Sequence, residues 1–243
     1  MNPSSPLDNI RIVLSHTSHP GNIGAAVRAM KTMGLTSLNL INPKSFPDKT
    51  ADIRAVGARD LLNQVKVFTD IDEALDGTMI AAAVTARARG LPHETYNSRQ
   101  GAEALLDYAR EHPVALLFGA ETAGLTTAEV SKCQMTIHIP TNPDYSSLNL
   151  ASAVQVMVYE LRMALPEIDE EPALIRTPAG FNEMEFFYEH LEHVMIRSEF
   201  LNKNEPKRLM QRMRRLFSRA RVEREEVNIL RGILTAVEKH MDK

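Results

Sequence analysis

The chain has 243 residues, 44% hydrophobic and 24% charged, with a formal net charge of -3; this suits one α/β domain plus a smaller appendage and excludes global disorder. Its single cysteine, Cys133, excludes an internal disulfide and a multi-cysteine metal site, and fits a reducing compartment. No apolar run approaches the ~18 residues of a membrane span, and Met1 to Asp8 lacks a signal-peptide pattern, so the chain reads as soluble, cytoplasmic and without a membrane partner.

In chain order, short apolar runs alternate with helical patterns. Ile10–Leu14, Leu38–Ile41, Val65–Phe68, Met79–Val84, Val114–Phe118 and Met135–Ile139 read as buried strands. Between them, Asn22–Met33, a segment around Asp52–Gly57, Ile71–Leu75, Ala102–Arg110 and Thr127–Lys132 read as helices, and Ala151, Val154, Val158 and Leu161 recur at helical spacing. This alternation predicts an α/β fold with a largely parallel sheet and helices on both faces.

The composition changes near Leu165. Pro166 to Pro172 is acidic and framed by prolines, as an exposed linker would be. Beyond it the strands stop. Phe187, Leu191 and Val194, then Leu209, Met213 and Leu216, then Leu230, Ile233 and Val237 follow helical spacing and predict a small three-helix unit. The expected division is a sheet domain over 1–165, a linker over 166–178 and a basic helical extension over 179–243. Between Arg197 and Arg224 there are ten Lys/Arg against three acidic residues. Arg208, Arg212, Arg215 and Arg219 share one helical face, whose one-sided sign points to phosphate contact with RNA.

Common cofactor signatures are absent: no Gly-x-Gly-x-x-Gly follows the first strand, and no Gly-x-x-x-x-Gly-Lys-Ser/Thr occurs. His16 and His19 lack ligand-spaced neighbours and read as loop histidines, so no metal is expected. Three segments just beyond strands remain. The first runs from Ser18 to Ala29; in it Asn22 is a helix cap, Gly24, Ala25 and Ala26 allow close approach, and Arg28 sits among small residues. The second is Phe118 to Leu125, a Gly-x-Glu-x-x-Gly turn around Glu121. The third is Ile139 to Asn149, in which prolines exclude regular structure and Ser146 or Ser147 caps the following helix. In an open parallel sheet ligands bind outside the carboxyl ends of the strands, where all three segments fall.

At these residues the chain resembles the SPOUT superfamily of RNA methyltransferases, in its ribose 2′-O-methylating branch. Asn22-x-Gly24-x-x-x-Arg28, Phe118-Gly119-x-Glu121-x-x-Gly124-Leu125 and Ile139-Pro140 to Ser147-Leu148-Asn149 match in order and spacing, within about Ile10 to Leu165. The opening, the Asn142–Asn149 turn and the tail Asn228–Leu234 further resemble one tRNA-modifying member, which methylates the ribose of nucleotide 32 in the anticodon loop. The resemblance implies a sheet tied at its C-terminal end into a trefoil knot, with S-adenosyl-L-methionine (AdoMet) bent within it. It also implies an obligate homodimer with active sites at the subunit interface. By the same analogy the donor touches Val84, Thr85, Ala86, Gly119, Ile139, Ser146, Ser147 and Leu148. The family gives the activating role to Arg28, whose guanidinium is too weak an acid to serve as a base and is expected to act electrostatically. Ser147 or Asn149 would hydrogen-bond the arginine or the ribose, Glu121 would orient the arginine, and Asn22 belongs to the same catalytic set. The alternatives are a ribose methyltransferase for another tRNA or rRNA nucleotide, and a non-catalytic RNA-binding factor of the same fold.

Overall fold

The computed structural model describes residues 5–86, 94–165, 178–202 and 208–241. Most of the expected linker, 166–177, lies outside them, as do Lys203 and Lys207 of the basic tail.

Seven parallel strands form one sheet in the order β3-β2-β1-β6-β4-β7-β5: β1 (Ile10–Ser15), β2 (Ser37–Ile41), β3 (Lys66–Phe68), β4 (Ile80–Val84), β5 (Glu94–Asn97), β6 (Val114–Phe118) and β7 (Met135–His138). The central strands are near-continuous apolar runs because both of their faces are covered. On one face Ile12, Leu14, Ile80, Ala82, Leu116 and Phe118 pack into a core with α1 (Pro20–Met33), α2 (Lys49–Arg54), α3 (Arg59–Leu62), α5 (Ser98–Ala109) and α7 (Leu150–Met163). On the other face Val13, Ala81, Ala115 and Leu117 pack with α4 (Ile71–Leu75) and α6 (Thr127–Ser131).

The register carries the ends of the inner strands to one edge of the sheet: Leu14 pairs with Phe118, Phe118 with Val84, and Val84 with Ile137. The three segments beyond β1, β6 and β7 therefore emerge side by side.

Several sequence expectations are corrected. β5 was not anticipated: Glu-Thr-Tyr-Asn is mostly polar and sits at the sheet edge, paired only with β7. Its last residue, Asn97, accepts from the Gln100 N–H and starts α5 at Ser98, one turn before Ala102. α1 is capped by His19 rather than Asn22, with Pro20 in the first turn where its missing N–H costs nothing. α7 is capped by Asn149, whose Oδ1 accepts from the N–H groups of Ala151 and Ser152, and not by Ser146 or Ser147.

The C-terminal helices α8 (Phe181–Arg197), α9 (Leu209–Ala220) and α10 (Arg224–Met241) enclose a third core of Met184, Phe187, Tyr188, Leu191, Val222 and Val227. Phe187 and Phe217 meet edge to face at 4.7 Å. α10 turns a different stripe inward than its spacing suggested: Leu230 and Leu234 pack on this core, whereas Ile233 and Val237 are exposed. The helical unit is seated on the sheet. Phe181 enters the second sheet core, and its N–H donates to the Thr78 carbonyl at 2.9 Å.

Candidate active site

Glu121 begins the turn after β6. The turn closes by a Gly124 N–H to Ala120 carbonyl bond of 2.8 Å, with Gly124 at φ 66°. It folds so tightly on the strand end that a Cβ on Gly119 would lie 2.1 Å from the Gly124 carbonyl carbon. Glycine is required there by its own loop. Gly24 has a similar explanation, since an added Cβ would meet the Ala51 carbonyl of α2 at 2.1 Å; its smallness serves helix packing.

The Glu121 carboxylate receives the Ser18 N–H (2.9 Å), the Ser18 hydroxyl (2.8 Å), the His19 N–H (3.2 Å) and the Asn22 amide (2.7 Å). Asn22 Oδ1 in turn accepts from Asn149 Nδ2 at 3.0 Å. A single hydrogen-bonded chain thus ties all three motifs: the β1–α1 loop, the β6 turn and the cap of α7. Burial pushes the Glu121 carboxyl up, but the bonds from Ser18, Asn22 and its own N–H outweigh this and hold it at about 2. With its acceptor sites filled, Glu121 is a fixed anion and a poor base.

His19 is likewise disqualified as a base. Its Nδ1 accepts the Gly21 N–H at 3.1 Å, so a neutral ring carries its proton on Nε2 and has no free lone pair.

Beside the chain lies a cleft of about 220 Å³ at the ends of β4, β6 and β7. All eight residues assigned to the donor by resemblance line it: Val84, Thr85, Ala86, Gly119, Ile139, Ser146, Ser147 and Leu148. Sequence reasoning omitted Thr122, Leu125, Thr141 and Leu150, which also line it, and Ser18, which supplies two of the four donors to Glu121. Ser18 stood in the first motif, but nothing in the sequence named its partner. The walls combine apolar side chains with the hydroxyls of Thr85, Thr122, Thr141, Ser146 and Ser147, and Glu121 is the charged side chain among the described lining residues. Such a surface suits a flat heteroaromatic ring, a ribose and a positively charged centre, all of which AdoMet contains.

Arg28 stands apart. It is exposed, and it does not line its own chain's cleft. It follows Asn22 by six residues, about 9 Å along the helix and a third of a turn round. The expected Glu121–Arg28 contact is not made within the chain, because the carboxylate is occupied by Ser18, His19 and Asn22. α7 packs beside α1, with Arg162 close to Gly34, and presents exposed Tyr159 and Met163.

In the tail, Arg208, Arg212 and Arg219 are exposed and Arg215 is half-buried on one side of α9; among the described residues none has an ion-pair partner. The one-sided charge needs qualification, because neighbouring helices and the sheet supply carboxylates to other arginines. Arg214 grips Glu185 at 2.5 and 2.8 Å and lies 4.4 Å from the Tyr188 ring centroid. Arg224 meets Glu183 at 2.6 Å, and Arg221 meets Glu94. Among the described residues no helix is long and apolar enough to cross a membrane, and no group of three or more His, Cys, Asp or Glu is placed to hold a metal ion.

Residues 9–159 match the SpoU rRNA Methylase family, and residues 182–243 match the C-terminal domain of the tRNA methyltransferase TrmJ. The tRNA (cytidine/uridine/adenosine-2′-O-)-methyltransferase TrmJ of Pseudomonas aeruginosa (strain UCBPP-PA14) is 44% identical over 244 residues, covering 96% of this chain and 95% of that protein. The crystal structure of TrmJ from Z. mobilis ZM4 superposes with a TM-score of 0.82 at 31% identity, over 94% of this chain and 98% of that one. The SpoU methyltransferase AviRb of Streptomyces viridochromogenes, solved with AdoMet, shares the fold at 23% identity and a TM-score of 0.51, over 63% of this chain and 56% of that one. Sheet, cleft and helical tail all fall within these matches, and the chain belongs to the SpoU methylase family, on its TrmJ branch.

Proposed function

We propose that the chain transfers a methyl group from AdoMet to the ribose 2′-hydroxyl of nucleotide 32, cytidine or uridine, in the tRNA anticodon loop. It acts as a homodimer in the cytoplasm, where its substrate is found. The observation that carries this reading is the hydrogen-bonded chain Asn149–Asn22–Glu121–Ser18 at the edge of the strand-end cleft. The names of the similar TrmJ proteins support tRNA and the 2′ oxygen; nucleotide 32 rests on the resemblance of the opening, the Asn142–Asn149 turn and the tail. The trefoil knot at the C-terminal end of the sheet belongs to the same proposal, as does the division into a catalytic domain over 1–165, a linker over 166–178 and an RNA-binding extension over 179–243.

When bound, AdoMet supplies an electrophilic methyl on a positive sulfur. The protein's tasks are to align the ribose oxygen with it and to ease loss of the hydroxyl proton. Alignment alone can contribute about 7–11 kcal/mol for ideal intramolecular geometry. Val84, Thr85, Ala86, Gly119, Ile139, Ser146, Ser147 and Leu148, which line the cleft, would hold the donor there. The Glu121 anion favours a cationic donor in the cleft and keeps the three loops in register. Since Glu121 and His19 have no free lone pair for a proton, the remaining assistance is electrostatic. Arg28 of one protomer, exposed on α1, holds the phosphate next to the target ribose. It stabilises the developing alkoxide in the partner's site. Arg208, Arg212, Arg215 and Arg219 hold the tRNA backbone, reading its shape rather than its bases.

The deciding experiment incubates the protein with radiolabelled AdoMet and unmodified tRNA transcripts, then maps the methylated ribose. Label at nucleotide 32 is the expected result. Label on another tRNA or rRNA nucleotide would replace the position, and AdoMet binding without transfer to any RNA would sink the catalytic reading.

A further inference from the structure

Among the described residues, the most extensive polar contact between the helical unit and the sheet domain is unexplained by the chemistry above. α9 ends at Ala220, and the next residue, Arg221, takes the left-handed conformation at φ 48°. That turn of the backbone sends its side chain away from α9 and onto the free edge of the sheet. There one guanidinium donates to Glu94 and to the Tyr96 hydroxyl at 2.6 Å on β5, and to the Tyr108 hydroxyl at 3.1 Å on the adjoining α5. Tyr96 also donates to Glu94 at 2.8 Å. Arg221 is the kind of residue such a junction needs, because its planar fork can hold several acceptors at fixed angles.

Its position along the chain matters. Arg221 follows the last residue of the basic face, Arg219, by two. Arg208 to Arg219 spans about 16 Å of helix axis, so the junction pins one end of the basic rod. On the sheet side, Glu94 and Tyr96 lie on β5, which pairs in register with β7: Glu94 opposite Met135 and Tyr96 opposite Ile137. β7 runs directly into Ile139, which lines the cleft. A continuous path of contacts therefore runs from the basic face of α9 through Arg221 and the edge strand to the wall of the cleft.

We infer that Arg221, held by Glu94, Tyr96 and Tyr108, is a positioning residue that fixes the distance between the RNA-gripping face of α9 and the cleft, and so selects which ribose of a bound tRNA is methylated. The inference rests on the function proposed above. It adds that the tRNA body is held at a set span from the reacting oxygen, so the nucleotide chosen depends on geometry as well as on contacts at the target.

Arg221→Ala and Glu94→Gln test it from the two sides of the junction. Tight tRNA binding should persist within about twofold, since the α9 arginines are untouched, and AdoMet affinity measured by calorimetry should not change. Turnover at saturating tRNA should fall roughly tenfold or more, because small misplacements of reacting atoms are costly. Part of the methyl should move to riboses flanking the normal target. The double variant should be no worse than either single one, since both remove the same link. Arg221→Lys, which keeps the charge and loses the fork, should recover part of the turnover but not the single-site pattern. Unchanged turnover with a single methylated ribose would overturn the inference. So would an equal loss of tRNA affinity, which would mark Arg221 as a direct RNA contact, and so would additive losses in the double variant. The parent protein keeps the two readings separate: if it methylates no tRNA, the proposed function fails, whereas a parent and variants that all methylate the same single ribose refute the ruler alone.

Discussion

The strand-end site and the basic helix use polar groups in opposite ways. Around Glu121 the side-chain chain is closed: the carboxylate, Asn22 and Asn149 satisfy one another and the backbone N–H groups of Ser18, His19, Ala151 and Ser152. On α9, Arg208, Arg212, Arg215 and Arg219 have no ion-pair partner among the described residues, while Arg214, on the adjoining side, is clamped by Glu185. A closed network fixes a shape that a ligand then enters. An open row of cations is available to a partner with many negative charges. The same residue type thus builds the fold at position 214 and is free to bind at position 212.

Arg214→Ala should do the most damage to stability. It strands Glu185 in a largely buried setting and removes a guanidinium stacked on Tyr188, at a cost of about 3 kcal/mol, visible as a lower denaturation midpoint. Near-parental stability would mean that the two arginine classes are not distinct. Arg28→Lys should leave the fold and AdoMet binding alone and lower methyl transfer about 100-fold, or ~2.7 kcal/mol. A lysine enzyme with parental turnover would remove the fork from the mechanism.

Glu121→Gln should cost about 2 kcal/mol, because an amide NH₂ now faces donors where an anion accepted them. This prediction carries a pH signature. The Glu121 carboxyl is depressed from 4.5 to about 2. Its contribution is therefore complete above about pH 4.5 and is lost as pH falls towards 2. The stability gap between parent and variant should close across that window, and a gap constant with pH would contradict the assignment. Smallest in effect, Arg212→Ala with Arg219→Ala should leave the midpoint unchanged, weaken tRNA binding several-fold and reduce the slope of log affinity against log salt by about 1.5. An unchanged slope would place the RNA elsewhere.

Much of this was legible in the chain. Buried parallel strands are written as apolar runs, and the segments after β1, β6 and β7 stood out because glycine, proline and small polar residues interrupt those runs. Less legible was anything that depends on a choice among neighbours. Ser146, Ser147 and Asn149 are all competent caps within four positions, and only the path of the backbone makes Asn149 the one that serves. Glu121 was assigned to Arg28, yet a loop carboxylate takes whichever donors the fold brings, here Ser18, His19 and Asn22. β5 was invisible because a short, mostly polar edge strand has no apolar signature. The inward stripe of α10 was misread because Ile233 and Val237 keep a helical period on the side facing solvent.

Phe181 ties the tail to the sheet in a way that constrains how the protein can be dissected. Its ring lies with Val13, Leu75, Ala115, Leu125 and Val130, so it is the sheet's property although it belongs to the first helix of the extension. A fragment ending before it would uncover a greasy hollow beneath the strands and should clump or bind hydrophobic dyes, whereas one carried past it would keep that hollow plugged. Natural recombination that exchanged such tails between relatives would meet the same demand: the incoming piece must bring its own stopper.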